Sequence, residues 1–300
     1  MKAVDESGQK QQLKKVLKRN QSKPTTFIIA FIQEIPMLEL YQFELSHYCE
    51  KVRLILDYKG LAYRKIEVTP GIGQVDLFRL SGQRQVPVLK DGNEVIADST
   101  AIALYLDRKF PDRPILPADA KQRALCLLME EWADESIGLN SRKVMLGAFN
   151  QSPELRLSSL PASTPDLVRN LVKSFPREVF DVLGAGVGLG AESVRSARKA
   201  MEQNLESLNT LLQDSPYLVS DQPTLADFAV AGLTMYIKFP DIPYLAIPDG
   251  LKGKGVPGLA DVFAYSTFWE WRDRLYADFR KPPISATPPA SSAPTSIDIE

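Results

Sequence analysis

The sequence predicts an α/β domain followed by an all-helical domain. Short apolar–polar alternations and turn signals crowd between residues 37 and 110, helical spacing dominates from 118 to 281, and prolines separate the two stretches. A chain of 300 residues is long enough to bury two modest cores.

Residues 1–36 read as a disordered or mis-started N-terminal extension, polar and rich in Gln and Lys at its beginning. The apolar run Phe27–Ile32 follows basic residues, so a signal peptide is one reading of it. Against that reading, no small-residue cleavage site follows and Gln33-Glu34 interrupts the run. Its length is also far short of the roughly 20 residues a membrane span needs. From Leu38 to Phe43 apolar and polar residues alternate as in a strand. Ser46-His47 read as a turn, after which Tyr48, Val52, Ile55 and Leu56 recur at helical spacing until Gly60. A second strand covers Tyr63–Val68, and Pro70, Gly71 and Gly73 open an irregular segment. Val86–Leu89 and Glu94–Ala97 flank the Asp91-Gly92 turn of a hairpin, and Ser99 starts a helix. Strand, helix, strand, irregular segment, hairpin and helix is the thioredoxin-like order, a parallel βαβ unit joined to an antiparallel ββα unit.

Phe110 to Asp119 carries Pro111, Pro114 and Pro117 and reads as a linker between a domain at 37–110 and one at 118–281. Asp119 to about Gly147 reads as one long helical segment, and Thr164-Pro165-Asp166 starts another helix. Glu192–Leu212 sets Met201, Leu205, Leu208 and Leu212 on one face. Thr224 and Asp227 are spaced as a capping box, and an aromatic helix with Phe268, Trp269, Trp271 and Tyr276 follows the Pro/Gly-rich stretch 239–258. Residues 282–300, dominated by Pro, Ser, Ala and Thr, read as a disordered tail.

Composition removes several function classes. With 36 basic and 37 acidic residues, no charge excess argues for nucleic acid or a membrane surface as partner. Two cysteines, Cys49 and Cys126, argue against a disulfide framework and suit a reducing compartment, the cytoplasm. His47 is the single histidine, and no carboxylate cluster stands out, so no metal site is expected. Ser46 and His47 are neighbours in sequence and make a poor nucleophile–base pair. His47 itself reads as an exposed loop residue, Cys49 as partly buried and Cys126 as core.

The segment Leu40 to Arg53, with Ser46, resembles the first strand and helix of cytosolic glutathione transferases, particularly the serine-type theta and zeta classes. Gln85-Val86-Pro87 resembles that family's Val-Pro segment, Asp98-Ser99 its Glu/Gln-Ser pair, and Thr224–Asp227 its C-terminal capping element. The resemblance implies a glutathione transferase fold and glutathione as cosubstrate. It also implies a cis Pro87, a small hydrophobic electrophile as second substrate, a role in detoxification and a homodimer. It makes Ser46 the catalytic hydroxyl, with Gln85, Val86, Pro87, Asp98 and Ser99 binding glutathione. The residue chemistry is compatible. A hydroxyl at a helix start can donate to a thiolate, and the helix field favours negative charge there. Ser99 can receive a carboxylate at its helix start, and Asp98 an ammonium group.

Plainer readings stand beside these: Ser46 as a helix cap, and Asp98-Ser99 as an N-cap pair. The alternative functions are a non-catalytic binding or regulatory module on the same fold, and glutathione-dependent monothiol chemistry at Cys49. With Ser46 in the place of the first cysteine of a Cys-x-x-Cys motif, dithiol exchange is disfavoured. Gly186–Ala191 fits a dinucleotide-binding glycine pattern, but helical surroundings favour an interhelical loop.

Overall fold

The computed structural model describes residues 37–69, 73–158, 160, 164–174 and 190–282. The proposed extension, most of the tail and all but the end of the 186–191 glycine run therefore lie outside the described residues.

Four strands form one sheet in the order β2-β1-β3-β4, with β1 Leu38–Gln42, β2 Tyr63–Glu67, β3 Val88–Asp91 and β4 Glu94–Ala97. β1 pairs parallel with β2 (Leu38 opposite Tyr63), antiparallel with β3 (Leu40 opposite Leu89), and β3 antiparallel with β4. Helix α1, His47–Lys59, makes the crossover and ends on Gly60, whose φ of 70° is the left-handed conformation glycine adopts without cost. Helix α2 (Gln74–Ser81) occupies the segment expected to be irregular, and α3 (Ser99–Lys109) follows the hairpin. The turn signals just before α2 hide it in the sequence, and Leu77 is its one fully buried apolar residue, too little for a periodic pattern.

The second half is helical. α4 (Ala120–Trp132) runs into a π-helical turn, Ala133–Gly138, and then α5 (Leu139–Gln151), so the long predicted segment is one helix broken by a π turn. Short helices α6 (Pro153–Ser158) and α7 (Asp166–Ser174) precede α8 (Ala191–Leu211), α9 (Leu225–Leu233) and α10 (Ser266–Phe279). Every residue of α9 is buried. Its start is fastened by Asp227, which accepts from the Thr224 backbone and hydroxyl at 2.8 and 2.7 Å and from the Leu218 backbone at 2.8 Å. Gly232 lets α9 approach α1 backbone to backbone: a Cβ there would lie 2.7 Å from the Lys51 nitrogen. Among the described residues no helix is long and apolar enough to cross a membrane.

Covered by the sheet on one side and by the later helices on the other, α1 buries even its charged residues, and each is paired. Glu50 accepts from Arg53 Nε at 2.5 Å and from Arg280 Nε at 2.9 Å. Burial raises the Glu50 carboxyl, but Arg280 and Arg53 outweigh it and hold it at about 2. Arg280 also bonds Asp57, so the end of α10 is tied to both turns of α1 it crosses.

Candidate functional site

Every residue expected at the site from sequence lines one cleft of about 500 Å³. One wall is built by the start of α1, by residues 83–87 ahead of β3, and by the start of α3. The π turn, the beginning of α5 and Tyr236 form the other.

Ser46 is half-buried and is the N-cap of α1, its oxygen accepting from the Cys49 backbone N–H at 3.3 Å. That bond uses one lone pair of the hydroxyl and leaves its proton, so capping and donation to a ligand are compatible. Asp98 caps α3 through Oδ1, which accepts from Thr100 and Ala101 at 3.0 and 2.9 Å. Its φ of 81° and ψ of 134° are outside the regions non-glycine residues favour, a strain found most often at ligand clamps. Ser99 is buried beside it, its oxygen 3.4 Å from the Lys51 ammonium, with the hydroxyl proton left over. The Val86–Pro87 bond is cis. Pairing of β3 with β1 begins at Val88, so Gln85 to Pro87 lie just past the paired residues, at the rim of the cleft.

His47 departs from expectation. It is not an exposed loop residue but the first residue of α1, only 3% exposed. Its ring packs between Tyr48 and Tyr236, with centroids 4.4 and 4.3 Å away, and Nε2 donates to the Gly138 carbonyl at 3.1 Å. Burial pushes the imidazole down to about 3, against the Gly138 bond, so it is neutral and an ineffective base. The helix opens one residue earlier than the turn assigned to Ser46-His47, and the later helices cover that end. Cys49 is fully rather than partly buried. Burial raises its thiol, opposed by Arg53 and the Ser46 hydroxyl, and a raised thiol is a poor nucleophile. Cys126 is buried as expected.

Several residues in the cleft walls or behind them carried no signal in the sequence. Lys51, fully buried, gives its ammonium to Asp134 at 2.8 and 2.9 Å, to Glu130 and to Thr100 at 3.2 Å. Asp134 is raised by burial, against the pull of Lys51. The π turn aims the Asp134 carbonyl at Tyr48 Oη, 3.1 Å away. Gly138 rests on the same ring, and a Cβ there would come 2.4 Å from Tyr48 Oη. Arg142, exposed on α5, enters the wall near His47 and Tyr236. No group of His, Cys, Asp and Glu suited to a metal occurs among the described residues.

The fold and this arrangement agree with what the chain resembles. Residues 40–114 match the glutathione S-transferase N-terminal domain and residues 191–253 the glutathione S-transferase C-terminal domain. The chain belongs to the glutathione S-transferase superfamily. A zeta-class glutathione S-transferase of Euphorbia esula is 39% identical over 93 residues, which is 30% of this chain and 41% of that protein. A stringent starvation protein A homolog of Pasteurella multocida is 34% identical over 99 residues, 32% of this chain and 47% of its own. The chain therefore spans less than half the length of these curated relatives. The crystal structure of the beta-etherase LigF from Sphingobium sp. strain SYK-6 superposes with a TM-score of 0.60 at 22% identity, covering 80% of this chain and 95% of that one. The glutathione S-transferase fold, a thioredoxin-like α/β domain followed by a helical domain, accounts for the order of elements on both sides of the cleft.

Proposed function

We propose that this protein is a glutathione transferase that ionises the glutathione thiol beside Ser46 and directs it onto a small electrophile in the helical half of the cleft. The observation that carries the reading is the convergence of Ser46, Gln85, Val86, Pro87, Asp98 and Ser99 on one cleft from three separate segments. A free thiol of pKa about 8.5 is mostly protonated near neutral pH, so the protein must favour the thiolate. The unspent proton of Ser46 and the open start of α1 both do so. Val86, beyond the last paired residue of β3, suits an extended peptide lying against the sheet. At the other end, the Asp98 carboxylate suits an ammonium group, and the Ser99 hydroxyl at the start of α3 suits a carboxylate.

The assembly we propose is a homodimer in the cytoplasm. Exposed apolar side chains on two elements, Val75 and Phe78 of α2 and Leu125 and Leu128 of α4, supply surface of the kind a dimer buries. Calorimetric binding of glutathione, ultraviolet absorbance of the bound thiolate and transfer to a reactive aryl halide test the activity. Ser46→Ala is expected to keep most of the binding and to lower kcat/KM by roughly a hundredfold. A Ser46→Ala enzyme as active as the parent would remove the proposed role of this hydroxyl.

A second reading is a binding or regulatory module on the same fold, which the likeness to a protein not named as a transferase favours. Glutathione bound without thiolate formation or turnover would select it. Monothiol chemistry at Cys49 has the burial and raised thiol of that residue against it.

A further inference from the structure

Tyr236 closes the short helical turn Thr234–Tyr236 that follows α9 and brings the helical half of the molecule to the sulfur end of the cleft. Its ring packs on His47 at 4.3 Å, tilted by 52°, and is 9% exposed. It lines the cleft together with His47, the first residue of α1. The phenol therefore stands at the open end of α1, next to the residue that follows Ser46 and across the cleft from it.

A phenol has one proton to give. No acceptor for that proton occurs among the described residues, and the residue lines the cleft. Burial pushes the hydroxyl up to about 12, against the pull of Arg142, so the proton stays on oxygen at neutral pH. Ser46 stands on the other wall, its oxygen capping α1 through the Cys49 backbone N–H and its proton left over. A ligand sulfur held between the two walls could accept one hydrogen bond from each hydroxyl.

We propose that Tyr236 is a second catalytic donor, its hydroxyl hydrogen-bonding the glutathione sulfur from the helical side while Ser46 does so from the sheet side. The inference rests on the glutathione reading above. When the thiol ionises, the electron pair of the S–H bond stays on sulfur and the proton leaves to water. Both hydroxyls keep their own protons throughout and lose nothing when sulfur attacks.

The test is a titration of bound glutathione by its thiolate absorbance in the parent, Tyr236→Phe, Ser46→Ala and the double variant, with calorimetric affinity and melting temperature measured on each. Phe keeps the ring packing on His47. Tyr236→Phe is expected to bind glutathione and melt like the parent while raising the bound thiol pKa by roughly one unit. The double variant is expected to approach the free thiol. A fluorinated tyrosine at position 236, a stronger donor of nearly the same shape, is expected to lower the thiol pKa, and it decides the matter if the Phe variant fails to fold. A Tyr236→Phe protein that binds glutathione with the parent's titration curve overturns the inference and leaves the glutathione reading standing. A parent that binds no glutathione overturns both.

Discussion

Replacing His47 by Phe isolates the cost of keeping an imidazole neutral in the seam between α1 and the π turn. In the unfolded chain His47 takes a proton below its ordinary value of 6.5; in the folded chain it does so only below about 3. Between those values the unfolded chain holds more protons, so acid favours unfolding. The stability that depends on a neutral His47 is complete above 6.5 and falls as the pH is lowered towards 3. The slope is about 1.4 kcal/mol per pH unit, so a descent to about pH 4.5 costs about 2.7 kcal/mol. Phe fits the space between the Tyr48 and Tyr236 rings. The Gly138 carbonyl keeps a share of the Ser141 hydroxyl proton at 3.2 Å, which the Leu233 carbonyl also meets at 3.1 Å. Glu50, held at about 2, contributes stability present above 4.5 and lost as the pH falls through 2, and it does so equally in both proteins. Urea unfolding at about pH 7.5 and about pH 4.5 measures the difference. His47→Phe should lose about 2.7 kcal/mol less than the parent between the two conditions. Equal losses would show that His47 is not held neutral by burial, and the packing assigned to it would be wrong.

Two further outcomes follow from the same seam. Gly138→Ala sets a methyl against Tyr48 Oη and should cost about 1–3 kcal/mol, visible as a lower melting temperature, with Tyr48→Phe restoring part of the loss. Lys51→Met leaves Glu130 and Asp134 without their cation and should cost about 3–5 kcal/mol at neutral pH, with partial recovery in acid as Asp134, already raised by burial, protonates. A Lys51→Met protein as stable as the parent by urea unfolding would show that the ammonium is not the partner of those carboxylates.

What the sequence disclosed is what local chemistry writes into it. Gly60 ended α1 because a left-handed residue is needed there, Asp91-Gly92 closed the hairpin because Gly92 takes a φ of 60°, and Thr224 and Asp227 announced α9 three residues apart. Ser46, Val86-Pro87 and Asp98-Ser99 were legible for the same reason, each lying at the end of an element where a particular residue type is required. α2 was not, because a helix with one buried apolar residue leaves no period to read. Nor was the helical wall of the cleft. Asp134 and Gly138 act through a π turn, whose extra residue per turn re-aims carbonyls in a way helical spacing cannot anticipate. His47 was misplaced because its burial comes from residues 138 and 236, far along the chain.

Arg280 sits 230 residues after Glu50, its partner at the heart of α1. A ribosome adding about 5–20 residues per second needs roughly 10–50 s to cover that distance. For that interval Glu50 has only Arg53 to neutralise it, and Asp57 waits for the same late cation. The nascent sheet layer thus reaches its final electrostatic balance only once the end of α10 has emerged, long after its own strands and helices have been made.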